Sequence, residues 1–368
     1  MVIRVFGSAL AASVLLTLVA CGDDSSGTGG SDTTTSSTAT GTGTGTTATG
    51  TGSTTGSTTT GSTTGTSMGT GGEGGGMSNL ADPNLPGPYS FTTLNGTADV
   101  AETGHSFAVK AFYPTAGPTT GPYPLVVIGH GFQLPASQYE GYAERLATFG
   151  YVAVTADFPA GFIGNSHVDN ANDMIGVIDW AAGDATLGPL VDTNLVGMTG
   201  HSLGGKVSLL AATYDDRIKA VLALDPVDGA MGCTPQNCPD MSALMPTLNI
   251  PTGILGETLD STGFQACAPA ADNFQTFYAG ATSPSFQVDV LGASHMSFLD
   301  DLASCGFTCS FCATPMVDNA VVTALAYSYE AAFFERYLRQ IAAYDAYLTG
   351  DQATARYVQT GIATIQSK

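Results

Sequence analysis

The segment Leu195-Val196-Gly197-Met198-Thr199-Gly200-His201-Ser202-Leu203-Gly204-Gly205-Lys206 decides how the rest of the chain is read. An apolar stretch suited to a strand runs into a G-x-S-x-G pentapeptide, and a stretch suited to a helix leaves it. The pattern needs that context: a turn so tight that the serine stands at its apex with its hydroxyl exposed, flanked by residues small enough for strand and helix to pass closely. Glycine and serine are frequent neighbours in this chain of 47 glycines, but those of the N-terminal tract have no strand or helix beside them. Ser202 is therefore the candidate nucleophile.

Working outward, apolar runs alternate with helical stretches from Pro83 onward. Residues 107–113 read as an early strand. Pro124-Leu125-Val126-Val127-Ile128 is wholly apolar, as in a strand buried on both faces of a parallel sheet. Further strands are expected over 151–156, 194–199, 218–224, 251–255 and 286–291, with helices over 138–149, 170–182, 203–214 and 321–348. This alternation predicts a single α/β domain, a mainly parallel central sheet covered by helices on both faces. With the serine turn, it is the α/β-hydrolase fold.

A serine hydroxyl needs an adjacent base, and in this fold the partners follow in the order serine, acid, histidine. Of five histidines, His295 alone follows Ser202, just after the run 286–291. It is the candidate base, in a loop at the sheet edge where reacting groups gather. Two aspartates compete for the acid. Asp225 ends the strand over 218–224, and Asp260 follows the strand over 251–255, the commoner position; Asp228 and Glu257 are the remaining candidates for the acid. The tetrahedral oxyanion needs preformed donors, expected from the backbone N–H groups of Leu203 and of Phe132 in Gly129-His130-Gly131-Phe132. His130 and His201 flank the site as residues that orient loops, and Phe132, Met296 and Phe298 are candidates for the pocket wall. No cofactor or metal is called for.

The ends and the charge carry separate information. Residues 1–21 read as a targeting segment: Arg4, then an apolar run too short to span a bilayer. Its ending, Leu18-Val19-Ala20-Cys21, resembles the bacterial lipobox, in which cleavage exposes a cysteine that carries diacylglycerol. Cys21 is thus the expected lipid anchor to a bacterial membrane or cell surface; an ordinary secretory peptide is the alternative. Residues 22–82, almost entirely Gly, Ser and Thr, read as a disordered tether with a reach of about 40–45 Å. Residues 83–368 form the catalytic domain. Beyond Cys21, an even set of six cysteines (233, 238, 267, 305, 309 and 312) fits up to three disulfides in an exported chain, with the pairing open. The cluster Cys305, Cys309 and Cys312 is the one alternative metal site, disfavoured because no histidine follows closely. A formal charge of −21 argues against nucleic acid or an anionic lipid surface as partner.

At these residues the chain resembles the chlorophyllase family of α/β-hydrolases. The resemblance runs through Val126-Val127-Ile128-Gly129-His130-Gly131-Phe132, Gly200-His201-Ser202-Leu203-Gly204-Gly205-Lys206, Leu224-Asp225-Pro226-Val227-Asp228-Gly229, Cys267-Ala268-Pro269 and Ser294-His295-Met296-Ser297-Phe298-Leu299-Asp300-Asp301. It implies a carboxylic ester hydrolase with Asp225 as acid, which, with the export expected from the N-terminus and the cysteines, gives an exported enzyme acting on a small-molecule or polymeric ester. The platelet-activating-factor acetylhydrolases imply the same acid. Leu203 stands where the plant enzymes usually carry arginine, which implies a different pocket lining. The stretches 250–260 and 292–295 are also similar to cutinase-like bacterial polyester hydrolases, which implies Asp260 instead. A lipase or a peptidase of the same fold is a closer rival, and a catalytically silent surface module that binds a partner is the alternative of another class.

Overall fold

The computed structural model describes residues 80–161, 165–229, 233–262, 266–306 and 308–368. Residues 1–79, with the expected leader and Cys21, lie outside them. Nine strands are described: β1 (Ser90–Val100), β2 (His105–Ala116), β3 (Tyr123–Gly129), β4 (Val152–Ala156), β5 (Val191–His201), β6 (Ile218–Leu224), β7 (Thr252–Glu257), β8 (Ser285–Val290) and β9 (Ala363–Ser367). They form one sheet in the order β1-β2-β4-β3-β5-β6-β7-β8-β9. From β4 to β8 every neighbouring pair is parallel, while β1, β2 and β9 add antiparallel edges.

The principal helices are α1 (Glu140–Thr148), α2 (His167–Gly183), α3 (Leu203–Ala211), α4 (Met241–Leu244), α5 (Phe274–Gly280) and α6 (Asn319–Tyr337). Alternate residues of β3 face opposite layers, as the pleat requires. Leu125 and Val127 join one core with Met174 of α2 and Val207 of α3. Val126 and Ile128 join the other, with Leu146 of α1 and Phe334 of α6. Burial on both faces is why β3 is apolar throughout. The arrangement is the α/β-hydrolase fold expected from the sequence.

Three local expectations change. The helix expected over 321–348 stops at Tyr337, because Gln340 takes a left-handed backbone (φ 59°) and the Ile341 N–H folds back onto the Glu335 carbonyl. Short turns over Ala342–Tyr344 and Asp345–Leu348 follow. The edge strands β1 and β9 escape the apolar pattern because each pairs along one side only and stays largely exposed. The folded body also begins before Pro83. Leu80 and Ala81 pack on the core, the Ala81 carbonyl accepts from the Tyr344 hydroxyl at 3.0 Å, and Asp82 pairs with Arg356 at 2.8 Å.

The parallel strands bring their C-terminal ends to one edge. Gly129 lies beside Gly200, His201 beside Leu224, and Glu257 beside Val290. At this edge the serine turn passes within contact of β3. A side-chain carbon on Gly200 would lie 2.7 Å from the Gly129 carbonyl oxygen, and one on Gly204 would collide with that carbonyl and lie 2.8 Å from the His130 carbonyl oxygen. Since the obstacles are backbone, Gly204→Ala is expected to cost at least ~1–3 kcal/mol and lower the thermal midpoint. Gly183→Ala, where an added carbon meets nothing within 4 Å, leaves the midpoint unchanged or slightly raised. Thermal denaturation of the two variants checks the contrast.

Candidate active site

Ser202 occupies the single residue between β5 and α3, with φ 56° and ψ −116°, a conformation that side chains other than glycine rarely adopt. Its N–H donates to the Leu224 carbonyl at 2.9 Å, which ties the turn to the next strand. One residue beyond that carbonyl, Asp225 is also left-handed (φ 43°) and donates its N–H to Leu255 at 2.6 Å. His295 stands on a one-turn helix (His295–Phe298) after β8, closed at its start by a reciprocal pair of bonds between Ser294 and Ser297.

These three side chains meet. His295 Nε2 lies 2.9 Å from Ser202 Oγ, and His295 Nδ1 lies 2.6 Å from Asp225 Oδ2. His295 and Asp225 are almost fully buried, while Ser202 opens onto a cavity of about 760 Å³. Asp260 also touches the histidine, but at its main chain: Oδ2 accepts the His295 N–H at 2.8 Å, and Oδ1 accepts the Ala313 N–H at 2.7 Å. The two aspartates thus hold different parts of one residue. Glu257 accepts the N–H groups of Leu259 and Asp260 and so shapes the loop that carries Asp260. Asp228 is elsewhere employed, paired with the buried Lys206 at 2.7 Å and accepting from Met241 and Ser242 at the start of α4.

Burial disfavours a charge on His295, but the hydrogen bond and negative charge of Asp225, assisted by Asp260 and Glu257, outweigh it and raise the imidazole above its ordinary value. Burial, together with the nearby Asp225 charge, raises Glu257 to about 7.

A second chain of bonds runs behind the histidine. The Gly131 N–H donates to the Tyr139 hydroxyl at 3.2 Å, which lies 2.8 Å from His201 Nδ1, and His201 Nε2 lies 2.8 Å from the His295 carbonyl. That carbonyl can only accept, so Nε2 carries the proton and the tyrosine donates to Nδ1. Burial holds His201 well below its ordinary value, consistent with a neutral ring. His130 stacks on Phe158 at 4.2 Å, and its nitrogens face the Gly131 and Phe158 carbonyls. Each of the two histidines thus bridges separate segments beside the site. Nothing in the sequence pointed to Tyr139, whose partner lies 62 residues away.

Phe132 and Leu203 line the cavity together with Ser202. Leu203 opens α3, where the first N–H groups have no partner within the helix. Met296 lines the cavity, whereas Phe298 is fully buried in the core and does not. The six cysteines form Cys233–Cys238, Cys267–Cys312 and Cys305–Cys309. The cluster weighed as a metal site is therefore held in two of these bridges.

The family model described as Chlorophyllase matches residues 87–347, most of the chain. The chain belongs to the chlorophyllase family. Among curated relatives, Chlorophyllase-2 of Arabidopsis thaliana is 28% identical over 200 residues, 49% of this chain and 62% of the relative. Bis(hydroxyethyl) terephthalate hydrolase of Streptomyces coelicolor is 28% identical over 225 residues, 58% of this chain and 65% of the relative. Chlorophyllase-1 of Arabidopsis thaliana is 29% identical over 233 residues, 58% of this chain and 70% of the relative. The chain thus spans somewhat under two thirds of the first two relatives. Within the chlorophyllase family match lie all the side chains just described around His295.

The carboxylates around His295 set a measurable expectation. Its imidazole titrates above 6.5, and Asp260→Asn, which removes one of the charges that raise it, moves the titration to lower pH. Nitrogen-15 NMR of the ring against pH checks both the position and the direction.

Proposed function

We propose that this chain is an exported serine carboxylic ester hydrolase that works through an acyl-enzyme. Ser202 Oγ attacks the ester carbonyl while His295 Nε2 takes its proton, then returns that proton to the departing alcohol. Asp225 holds the Nδ1–H, fixing the tautomer and steadying the imidazolium. The backbone N–H groups of Phe132 and Leu203 receive the oxyanion, a contribution for which one donor is typically worth about 10²–10³ in rate. Water then enters, activated by the same histidine, and hydrolyses the acyl-enzyme.

The observation that carries this reading is the unbroken path Ser202–His295–Asp225, at 2.9 and 2.6 Å, opening on a cavity. A silent binding module has no use for a hydroxyl, imidazole and carboxylate in line. Favouring Asp225 over Asp260 is the part of His295 each one touches: Asp225 the ring, Asp260 the main chain. The cavity, lined by Phe132, Leu134, Leu203, Val227 and Met296, suits an ester with a bulky apolar arm, in keeping with a chlorophyllase-like substrate. A polyester fragment is the second reading, favoured by the relative named bis(hydroxyethyl) terephthalate hydrolase. Export is supported by the three disulfides and by the leader-like residues 1–21, with Cys21 as the lipid-bearing residue.

Wild-type protein is expected to release a burst of p-nitrophenol from p-nitrophenyl esters, and Ser202→Ala to release none; full turnover by that variant would refute the assignment. Asp225→Asn is expected to lose roughly 10³–10⁴ in kcat and Asp260→Asn far less. The opposite ranking would transfer the acid role to Asp260. Cys21→Ser is expected to abolish labelling by radioactive fatty acid and to move the protein from the membrane to the soluble fraction.

A further inference from the structure

The cavity has a polar patch that the ester chemistry does not use. Asn165, two residues before α2, and His167, its first residue, line it alongside Val227, Gly229 and Cys233. His167 is 3% exposed. Among the described residues, His167 Nδ1 and Asn165 Oδ1 are buried with no hydrogen-bond partner. The contrast within the same site is sharp, because His130, His201 and His295 each engage both ring nitrogens. Buried polar atoms in folded proteins are nearly always paired, and two unpaired ones on residues that line the same cavity point to a partner supplied from it.

The chemistry of that partner follows from the two groups. Burial and the nearby Lys206 charge push His167 down to about 3, so its ring is neutral over the ordinary pH range and offers one donor and one acceptor nitrogen. Asn165 Oδ1 only accepts. A carboxylate is a poor match, since it would face that oxygen, and the nearby Lys206 is already paired with Asp228. A bound metal is a poor match too: the sulfurs closest to His167 belong to the Cys233–Cys238 disulfide and supply no thiolate. A hydroxyl matches the chemistry of both groups, since it can donate to an amide oxygen and accept from an imidazole N–H.

We propose that Asn165 and His167 form a subsite for a hydroxyl on one arm of the substrate, so that hydroxy esters are preferred over esters of equal length ending in methyl. The proposal rests on the ester-hydrolase reading and adds a substrate class to it. The test compares p-nitrophenyl esters of ω-hydroxy acids with methyl-terminated esters of matched length, using the full chain. At the length that reaches the subsite, kcat/KM is expected to favour the hydroxy ester by roughly ten-fold. That ratio falls to near unity in His167→Phe, and is partly kept in His167→Gln, which retains a donor and an acceptor. Asn165→Ala, at a less buried position, also lowers the ratio and covers the case in which His167→Phe does not fold. Binding of the same ester pairs to Ser202→Ala, which needs no turnover, is expected to show the same preference and its loss in the double variants. A wild-type ratio near unity at every length, or a ratio that survives in both His167→Phe and Asn165→Ala, overturns the subsite. Absence of turnover with a retained binding preference would instead overturn the ester-hydrolase reading and leave the subsite standing.

Discussion

Everything at the site depends on the contact between the serine turn and the end of β3. A left-handed backbone at a residue with a side chain costs of order 1–3 kcal/mol, and it persists only where the surroundings over-determine it. Here they do: Gly200 and Gly204 press against the Gly129 carbonyl, and the Ser202 N–H is held by Leu224. The same strain recurs one strand along at Asp225, with its N–H held by Leu255. Two strained residues at neighbouring strand ends thus aim a hydroxyl and a carboxylate at one imidazole, and the sheet is the rigid body that absorbs the cost.

His295 is gripped from several sides rather than by one partner. Asp225 holds one ring nitrogen, Ser202 the other, Asp260 the main-chain N–H, and His201 the main-chain carbonyl. Each removes a degree of freedom from a side chain that must stay within hydrogen-bond reach of the hydroxyl. The Tyr139–His201 chain extends this grip to Gly131, so that the loop carrying Phe132 and the loop carrying His295 are tied to one buried ring. Asp260, in turn, links His295 to Ala313, beside the Cys267–Cys312 bridge. Part of the cavity wall is therefore covalently braced, with Cys233, Cys267 and Cys312 all facing it.

The sequence was legible where burial is severe. β3 and, apart from the exposed Lys219, β6 are apolar because both faces are covered, and the glycines of the turn are forced by backbone contact, so these elements are readable with nearly correct bounds. The edge strands β1 and β9 were not, since one-sided pairing leaves polar residues in them. The choice between Asp225 and Asp260 could not be read from position because both follow strands at the same sheet edge and both touch His295; only the atoms they touch differ. Cysteine pairing and the His201–Tyr139 contact were illegible for a simpler reason, that they join residues brought together by the fold alone. The segment expected to act as leader and lipid anchor lies outside the described residues.

One measurement addresses the central claim, that Ser202 is the hydroxyl activated by His295. The protein should be treated with a fluorophosphonate and mapped by mass spectrometry of its peptides. A single adduct on Ser202 is expected, abolished in His295→Ala although that variant stays folded. An adduct on another residue, or labelling of Ser202 that persists without the imidazole, would contradict it.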